Sequence, residues 1–314
     1  MKRHLQALAW VGATVLLLFM ISRVDAVQLR AAAAAAHWSW IPVAVLANAM
    51  ILVSWTALWW RVAPDAERPA YRVMFEINAM ASALMNTVPF LGGHAAAVVL
   101  MVKRAAMSRA GALSVMALDQ LGEGLSKVIL FLVVALFAPI PGWMRLGVIT
   151  VCAAVGALLI GMVVAAHGHR YIRPRESEPL THVKRLRILA AHWAERMETL
   201  RSVKRSLIAL SFALGTKVAE GAGLLAVQYA FGVDLPPGST ALVLAAVTLG
   251  AMLPIAPGNI GTYEAAAIIA YRHLGIDPGM ATILAVASHV CFMIPSVGIG
   301  YMLGSWKVRN AVVA

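Results

Sequence analysis

Apolar runs of helix-spanning length alternate along the chain with short polar segments. They fall at about 5–22, 38–60, 111–138, 146–166, 206–231 and 279–304, each close to or above the roughly 20 residues that carry a helix across a bilayer's hydrocarbon. The pattern predicts six full spans. Two stretches between them break the rule. The first runs from Val73 to Met107, with apolar halves of only about 16 and 9 residues around Pro89, Gly92 and Gly93. The second runs from Ser239 to Gly275 around Pro254, Pro257, Gly258 and Gly261. Proline and glycine interrupt helices, and non-helical backbone at membrane depth survives only where protein or a cavity surrounds it. Both stretches are therefore predicted to be re-entrant helical hairpins.

Composition excludes a water-soluble globule. Of 314 residues 61% are hydrophobic and 13% charged, with a mean hydropathy of +0.81, too little polar surface for a soluble domain of this length. The fold class is an all-α polytopic membrane protein, with residues 1–314 forming a single membrane domain. Cys152 and Cys291 lie inside apolar runs and read as small core residues, not as a disulfide framework. Met1, Lys2, Arg3 and His4 precede an apolar run and resemble a signal peptide, with a weak cleavage-like site at Val24-Asp25-Ala26. A run of about 18 residues exceeds a usual signal core, which favours a retained first span.

The net charge of +12 becomes informative once it is placed. With a cytoplasmic N-terminus, twenty Lys and Arg fall on the inner side and four on the outer, while Lys127 and Lys217 stay within spans. This is a strong positive-inside bias, with both termini cytoplasmic. It requires the two hairpins to enter from opposite sides, so that residues 5–138 form a first repeat and 146–304 a second, inverted one. Pro89 stands four residues before Gly93, and Pro257 four before Gly261. Interrupted helices at corresponding positions of inverted halves point to a transporter whose substrate site lies where the repeats meet. A chance coincidence of two Gly/Pro breaks is the alternative.

Charges inside apolar segments cost roughly 2.5–3.5 kcal/mol each, so each needs a partner or a wet cavity. Lys217 and Glu220, three apart, share a helix face and read either as a pair lining the substrate path or as a structural pair. Asp119, Glu123 and Lys127 recur at spacing four with Gln120 beside them, predicting one polar stripe that lines a groove or knits helices together. Glu76, Asn78 and Asn86 approach the first hairpin and are less specific, because solvation at the interface would explain them. Residues 167–205 form a basic loop in which Leu186, Leu189, Trp193, Met197 and Leu200 recur at spacings of three and four. That pattern suggests an amphipathic helix attracted to anionic lipid, or simply a topology-setting loop. His167, His169 and His182 lack metal-ligand spacing, and no metal or other cofactor is expected.

The sharpest signal is Pro254-Ile255-Ala256-Pro257-Gly258-Asn259-Ile260-Gly261-Thr262-Tyr263-Glu264. Prolines end one short helix, glycines let the backbone turn, and a new helix begins near Thr262 as its N-cap. Glu264 then lies in the first turn, facing unpaired amides and the positive dipole end. It either caps the hairpin or contacts substrate, with Asn259 beside it and His289 in the last span as further substrate-binding candidates.

This stretch resembles the signature of the lysyl-phosphatidylglycerol synthase/flippase transmembrane family, typically Pro-x-x-Pro-Gly-Gly-Ile-Gly-x-x-Glu. Leu274-Gly275-Ile276 matches the family's following Leu-Gly-Val, and His289 stands where the family usually has Arg. In the first half Pro89, Gly92 and Gly93 match, but the family's acid and Arg do not follow them. Asp119-Gln120 looks like a later Asp-Arg without the Arg. The resemblance implies a polytopic inner-membrane protein that moves lipids or lipid-linked molecules between leaflets. Bifunctional members carry a soluble aminoacyl-transferase domain after the membrane part. With Ala314 close behind the last span, this chain is expected to make no lysyl-lipid and not to be an enzyme. Without a nucleotide motif, movement would draw on ion gradients or be passive. Membrane lipids, expected to be anionic, are the partners; no nucleic acid is expected, and homo-oligomer assembly stays open. The alternatives are a noncatalytic partner of a lipid-modifying enzyme and an intramembrane enzyme using Asp119 and Glu123, against which stands the lack of any metal, nucleophile or nucleotide motif.

Overall fold

A computed structural model describes residues 25–88, 92–137, 140–172, 198–252 and 256–313 of the chain. The predicted first span at 5–22, the signal-peptide alternative, Pro89, Pro254, and the loop residues Leu186, Leu189, Trp193 and Met197 lie outside them. Among the described residues the regular elements are all helical: α1 (Ala26–Ala35), α2 (Trp40–Val62), α3 (Tyr71–Thr87), α4 (Gly92–Arg104), α5 (Arg109–Phe137), α6 (Gly142–Ile172), α7 (Val203–Ala230), α8 (Pro237–Gly250), α9 (Thr262–His273) and α10 (Pro278–Val313), with short 3-10 turns between.

Five helices are long and apolar enough to cross a membrane: Trp40–Val62, Arg109–Phe137, Gly142–Ala166, Val203–Ala230 and Pro278–Ser305. They coincide with five of the six predicted spans. Helix ends differ, most of all where α6 continues to Ile172 and α10 to Val313, because hydropathy marks where a helix leaves hydrocarbon and not where its hydrogen bonds stop. α1 was not anticipated. It is an alanine-rich decamer whose Asp25 N-cap side chain accepts from the Val27 amide at 3.0 Å, two strong helix signals. The predicted hairpins correspond to α3 with α4 and α8 with α9, of 17, 13, 14 and 12 residues. At 1.5 Å per residue these are about 18–25 Å long, short of the roughly 30 Å hydrocarbon layer.

Helix ends gather on two faces. On the first, the His37 amide donates to Ala230 O (2.8 Å), Trp38 meets Phe231 edge-on, and Gln28 donates to Asp277. On the second, Ser108 donates to Glu67 (2.9 Å from its amide), Arg205 to Asp65 (2.8 Å) and Arg201 to Ala166 O (3.2 Å). Arg205 holds the Asp65 carboxyl below its ordinary value. A depressed carboxylate stabilises above its unfolded pKa, and that contribution is lost as pH falls through the folded one. The second face carries Arg61, Arg68, Arg72, Lys103, Arg104, Arg109, Arg201, Lys204 and Arg205 against Asp65, Glu67 and Glu76, whereas on the first Arg30, Arg145 and Arg272 are equalled in number by Asp25, Asp234 and Asp277. The charge asymmetry read from sequence is thus an asymmetry between two physical faces.

The helix packing has a regularity of its own. α2 and α7 cross antiparallel at the centre, Asn48 against Gly223 and Ser54 against Gly215. Exchanging α2 with α7, α3 with α8, α4 with α9 and α5 with α10 maps the contacts among these eight helices onto one another. α3 on α10 becomes α8 on α5, α3 on α4 becomes α8 on α9, and α4 on α5 becomes α9 on α10. α2 on α10 becomes α7 on α5, and α2 on α3 becomes α7 on α8. Lipid offers no hydrophobic drive for helix association, so close approach through small residues matters. Gly300 of α10 lies against the Ala79 carbonyl and, for a Cβ placed there, 2.6 Å from that of Ala83. Two buried clusters flank this centre. One lies toward the first face around Phe131, Leu224, Val243 and Tyr271, the other toward the second around Leu58, Trp59, Met74 and Met101.

Candidate functional site

The break before α9 is a run of left-handed backbone. Gly258, Asn259 and Gly261 have φ of 60°, 57° and 94°, a region open to glycine and tolerated by Asn. The N-cap is Gly261, not Thr262 as expected. Thr262 is the first helical residue, and its hydroxyl donates to Asn259 O at 3.1 Å. Lacking a side chain, Gly261 cannot cap the helix. Glu264 makes the reciprocal bond instead, its Oε2 accepting the Gly261 amide at 2.6 Å.

Glu264 does more than cap. Its Oε1 lies 2.7 Å from His289 Nδ1, and the two residues are 2% and 3% exposed. An ionised carboxylate accepts on both oxygens, so this pair is satisfied by the tautomer that carries its proton on Nδ1. Tyr263 stacks on the imidazole from the other side, 4.3 Å between centroids and 20° between planes. His289 is about 17 Å along α10 from its start, near mid-depth of the span Pro278–Ser305. The tip of α3 reaches the same place. The Asn86 carbonyl faces Gly258, and Thr87 Oγ1 lies 3.0 Å from Tyr301 Oη. Between them is a cleft of about 580 Å³, the tip cleft, lined by Asn86, Thr87, Ile260, Glu264, His289 and apolar α10 residues such as Met293.

The other intramembrane charges assemble elsewhere. Lys217 Nζ lies 3.0 Å from Glu220 Oε2 and 3.2 Å from Glu123 Oε1, and Glu123 also takes Lys127 at 3.2 Å. Two cations and two carboxylates thus form one continuous cluster between α5 and α7. Beside it is a second cavity, the flank cleft, of about 490 Å³, where Lys217, Ser126 and Thr240 stand among apolar residues of α5, α7 and α8.

The single stripe predicted along α5 is divided. Glu123 and Lys127 turn to α7, but Asp119 accepts a 2.6 Å bond from Trp55 Nε1 of α2 and a 3.3 Å bond from Gln120, 1% exposed. Four-residue spacing advances about 40° beyond a full turn at each step, enough for two neighbours to claim different ends of the row. Asp119 therefore knits helices together and lines neither cleft. Trp55→Phe, which strands that carboxylate, should cost roughly 1.5–3 kcal/mol in a melting experiment, with a smaller effect if Gln120 or water replaces the indole.

Of the remaining candidates, Asn259 forms the turn while Ile260 and Glu264 line the tip cleft. Pro257 and Gly258 are buried in the break, Gly92 opens α4, and Gly93 packs on the Met85 backbone. Asn78 donates to Thr56 Oγ1 at 3.0 Å within the core, and Glu76 meets Arg72 at 3.5 Å. Tyr263 and Trp55 had no assigned role in the sequence; Tyr263 lay inside the quoted motif, and only the fold brings Trp55 to Asp119. Among the described residues no group of three His, Cys, Asp or Glu is placed to hold a metal.

No curated protein and no solved structure matches the chain. Residues 6–300 match the family described as the lysylphosphatidylglycerol synthase TM region, which accounts for nearly the whole sequence; the chain belongs to that family.

Proposed function

We propose that the protein moves a phosphate-bearing membrane lipid between leaflets, without nucleotide hydrolysis and without chemistry on the lipid, with its head group passing the tip cleft. One observation carries this reading. The tip of α3 and the turn before α9, one from each half of the chain, meet near mid-depth beside the Glu264–His289 pair, in a cleft whose other walls are apolar side chains. Irregular backbone at such depth is a recurrent substrate-site device of transporters, and apolar walls with a polar base suit a lipid's two ends.

Supporting features extend the reading to the whole molecule. α3–α4 and α8–α9 act as oppositely oriented re-entrant hairpins, and the pairwise exchange of helix contacts supports an inverted repeat of 5–138 and 146–304. The basic second face supports placement in the inner membrane with that face and both termini cytoplasmic. The expectation of an anionic lipid presumed a basic lining to its path. Lys127 and Lys217 are neutralised by Glu123 and Glu220, so the phosphate is retained in the proposal and the net charge is not.

The test is reconstitution of the full chain into liposomes carrying fluorescent phospholipids in one leaflet. Exchange at least tenfold above protein-free vesicles is expected, with or without an imposed proton gradient. Exchange at the protein-free rate for all head groups, under both conditions, would refute the proposal.

A further inference from the structure

The flank cleft is unlike the tip cleft in position and in charge. Its α5 wall, Ser126 to Val133, lies in the half of that helix nearer the first face, and its α8 wall begins at Pro237 on that face. It therefore extends from mid-depth toward one surface. Val133 and Val218 on its rim are 38% and 71% exposed, which opens it sideways to acyl chains. Helix α9, whose Glu264 lines the tip cleft, packs on α8, whose Pro237, Thr240 and Leu244 wall the flank cleft.

The charged side chain on the flank cleft's wall is Lys217, but directly behind it stand Glu220 and Glu123, at 3.0 and 3.2 Å. With Lys127 on Glu123, the cluster sums to zero. A head group with one net negative charge would leave a buried negative charge uncompensated, and burying an unpaired ion at this depth discriminates roughly 100-fold. A head group bearing one phosphate and one ammonium keeps the balance, because it adds no net charge to a neutral cluster, its phosphate lying toward Lys217 and its ammonium toward the Ser126 and Thr240 hydroxyls on the same wall. The hydroxyls agree. Ser126 Oγ already donates to Glu123 O and Thr240 Oγ1 to Gln228 Oε1, both at 2.8 Å, so they present lone pairs to the cleft, which suit an ammonium and not a phosphate.

We infer that the flank cleft is a second head-group station, specific for zwitterionic phospholipids, through which the lipid passes on its way to or from the tip cleft. This inference rests on the lipid-movement reading and adds the class of substrate to it.

The experiment uses the full chain in liposomes with phosphoethanolamine and phosphoglycerol lipids of identical acyl chains, together with native mass spectrometry of the detergent-solubilised protein against the same two lipids. The zwitterionic lipid is expected to bind and exchange at least tenfold better. Glu220→Gln leaves the cluster with a surplus positive charge and should turn the preference toward phosphoglycerol. The double exchange Lys217→Glu with Glu220→Lys keeps the sum at zero and should keep the zwitterion preference, guarding against a variant that merely misfolds. Indifference to head group in the unaltered protein, or a ratio that Glu220→Gln does not move, overturns the inference. Absence of exchange alongside Glu220-dependent zwitterion binding upholds the station and refutes transport; loss of both refutes both.

Discussion

Glu264→Gln is expected to leave the protein folded and inserted while slowing lipid exchange roughly 10- to 100-fold, the range lost with one charge-assisted hydrogen bond. The amide can still accept from the Gly261 amide through its oxygen and donate to His289 Nδ1 through its nitrogen, provided the ring moves its proton to the other nitrogen. Geometry survives; the negative charge does not. Glu264→Ala is the contrasting case, since it strands the Gly261 amide and a buried histidine together, at a cost of roughly 3–5 kcal/mol, and should deplete folded protein. Melting in detergent and exchange in liposomes separate the two effects. If the Gln variant also fails to fold, Glu264 is a cap and no more. If it folds and exchanges lipid at the normal rate, the tip cleft is not on the route.

Much of this arrangement is legible in the sequence, because membrane segments announce themselves by length and composition. Five helices sit where apolar runs placed them, and the two Gly/Pro breaks separate helices too short to span alone. Glu264 could be placed in the first turn of its helix because turn chemistry is local. Pairing was less accessible. Spacing along α5 put Asp119, Glu123 and Lys127 on one row, yet no helical period reveals that Trp55 lies 64 residues upstream in the sequence and within 2.6 Å of Asp119 in space. The same limit hid the union of Glu123 with Lys217, which converts two separate polar features into one neutral cluster. That union bears on the functional reading, since a basic lining would suggest an anionic lipid and a neutral cluster does not. Sequence distance also hid the meeting of the breaks. Gly258 stands out as a break residue and Asn86 only as one on the approach to the other break, and their contact is a property of how the two halves pack.

That contact yields the second prediction. Gly258→Ala should destabilise the protein by about 2–5 kcal/mol, the sum of a left-handed backbone cost of roughly 1–2 kcal/mol and an overpacking cost of roughly 1–3. A Cβ there would run into Met293 Cε and lie 2.9 Å from the Asn86 carbonyl. The methionine end can swing away, but the carbonyl belongs to the tip of α3 and can retreat only if the two breaks part. Gly275 supplies the control. Its φ is 82° and a Cβ there meets nothing within 4 Å, so Gly275→Ala bears the backbone cost alone. The difference between the two melting shifts isolates the pressure of the α3 tip on the turn before α9. Adding Met293→Ala to Gly258→Ala should recover only part of that difference, because the Asn86 carbonyl remains. Equal shifts for Gly258→Ala and Gly275→Ala would mean that the breaks do not bear on each other, and would remove the physical basis for placing the substrate route between them.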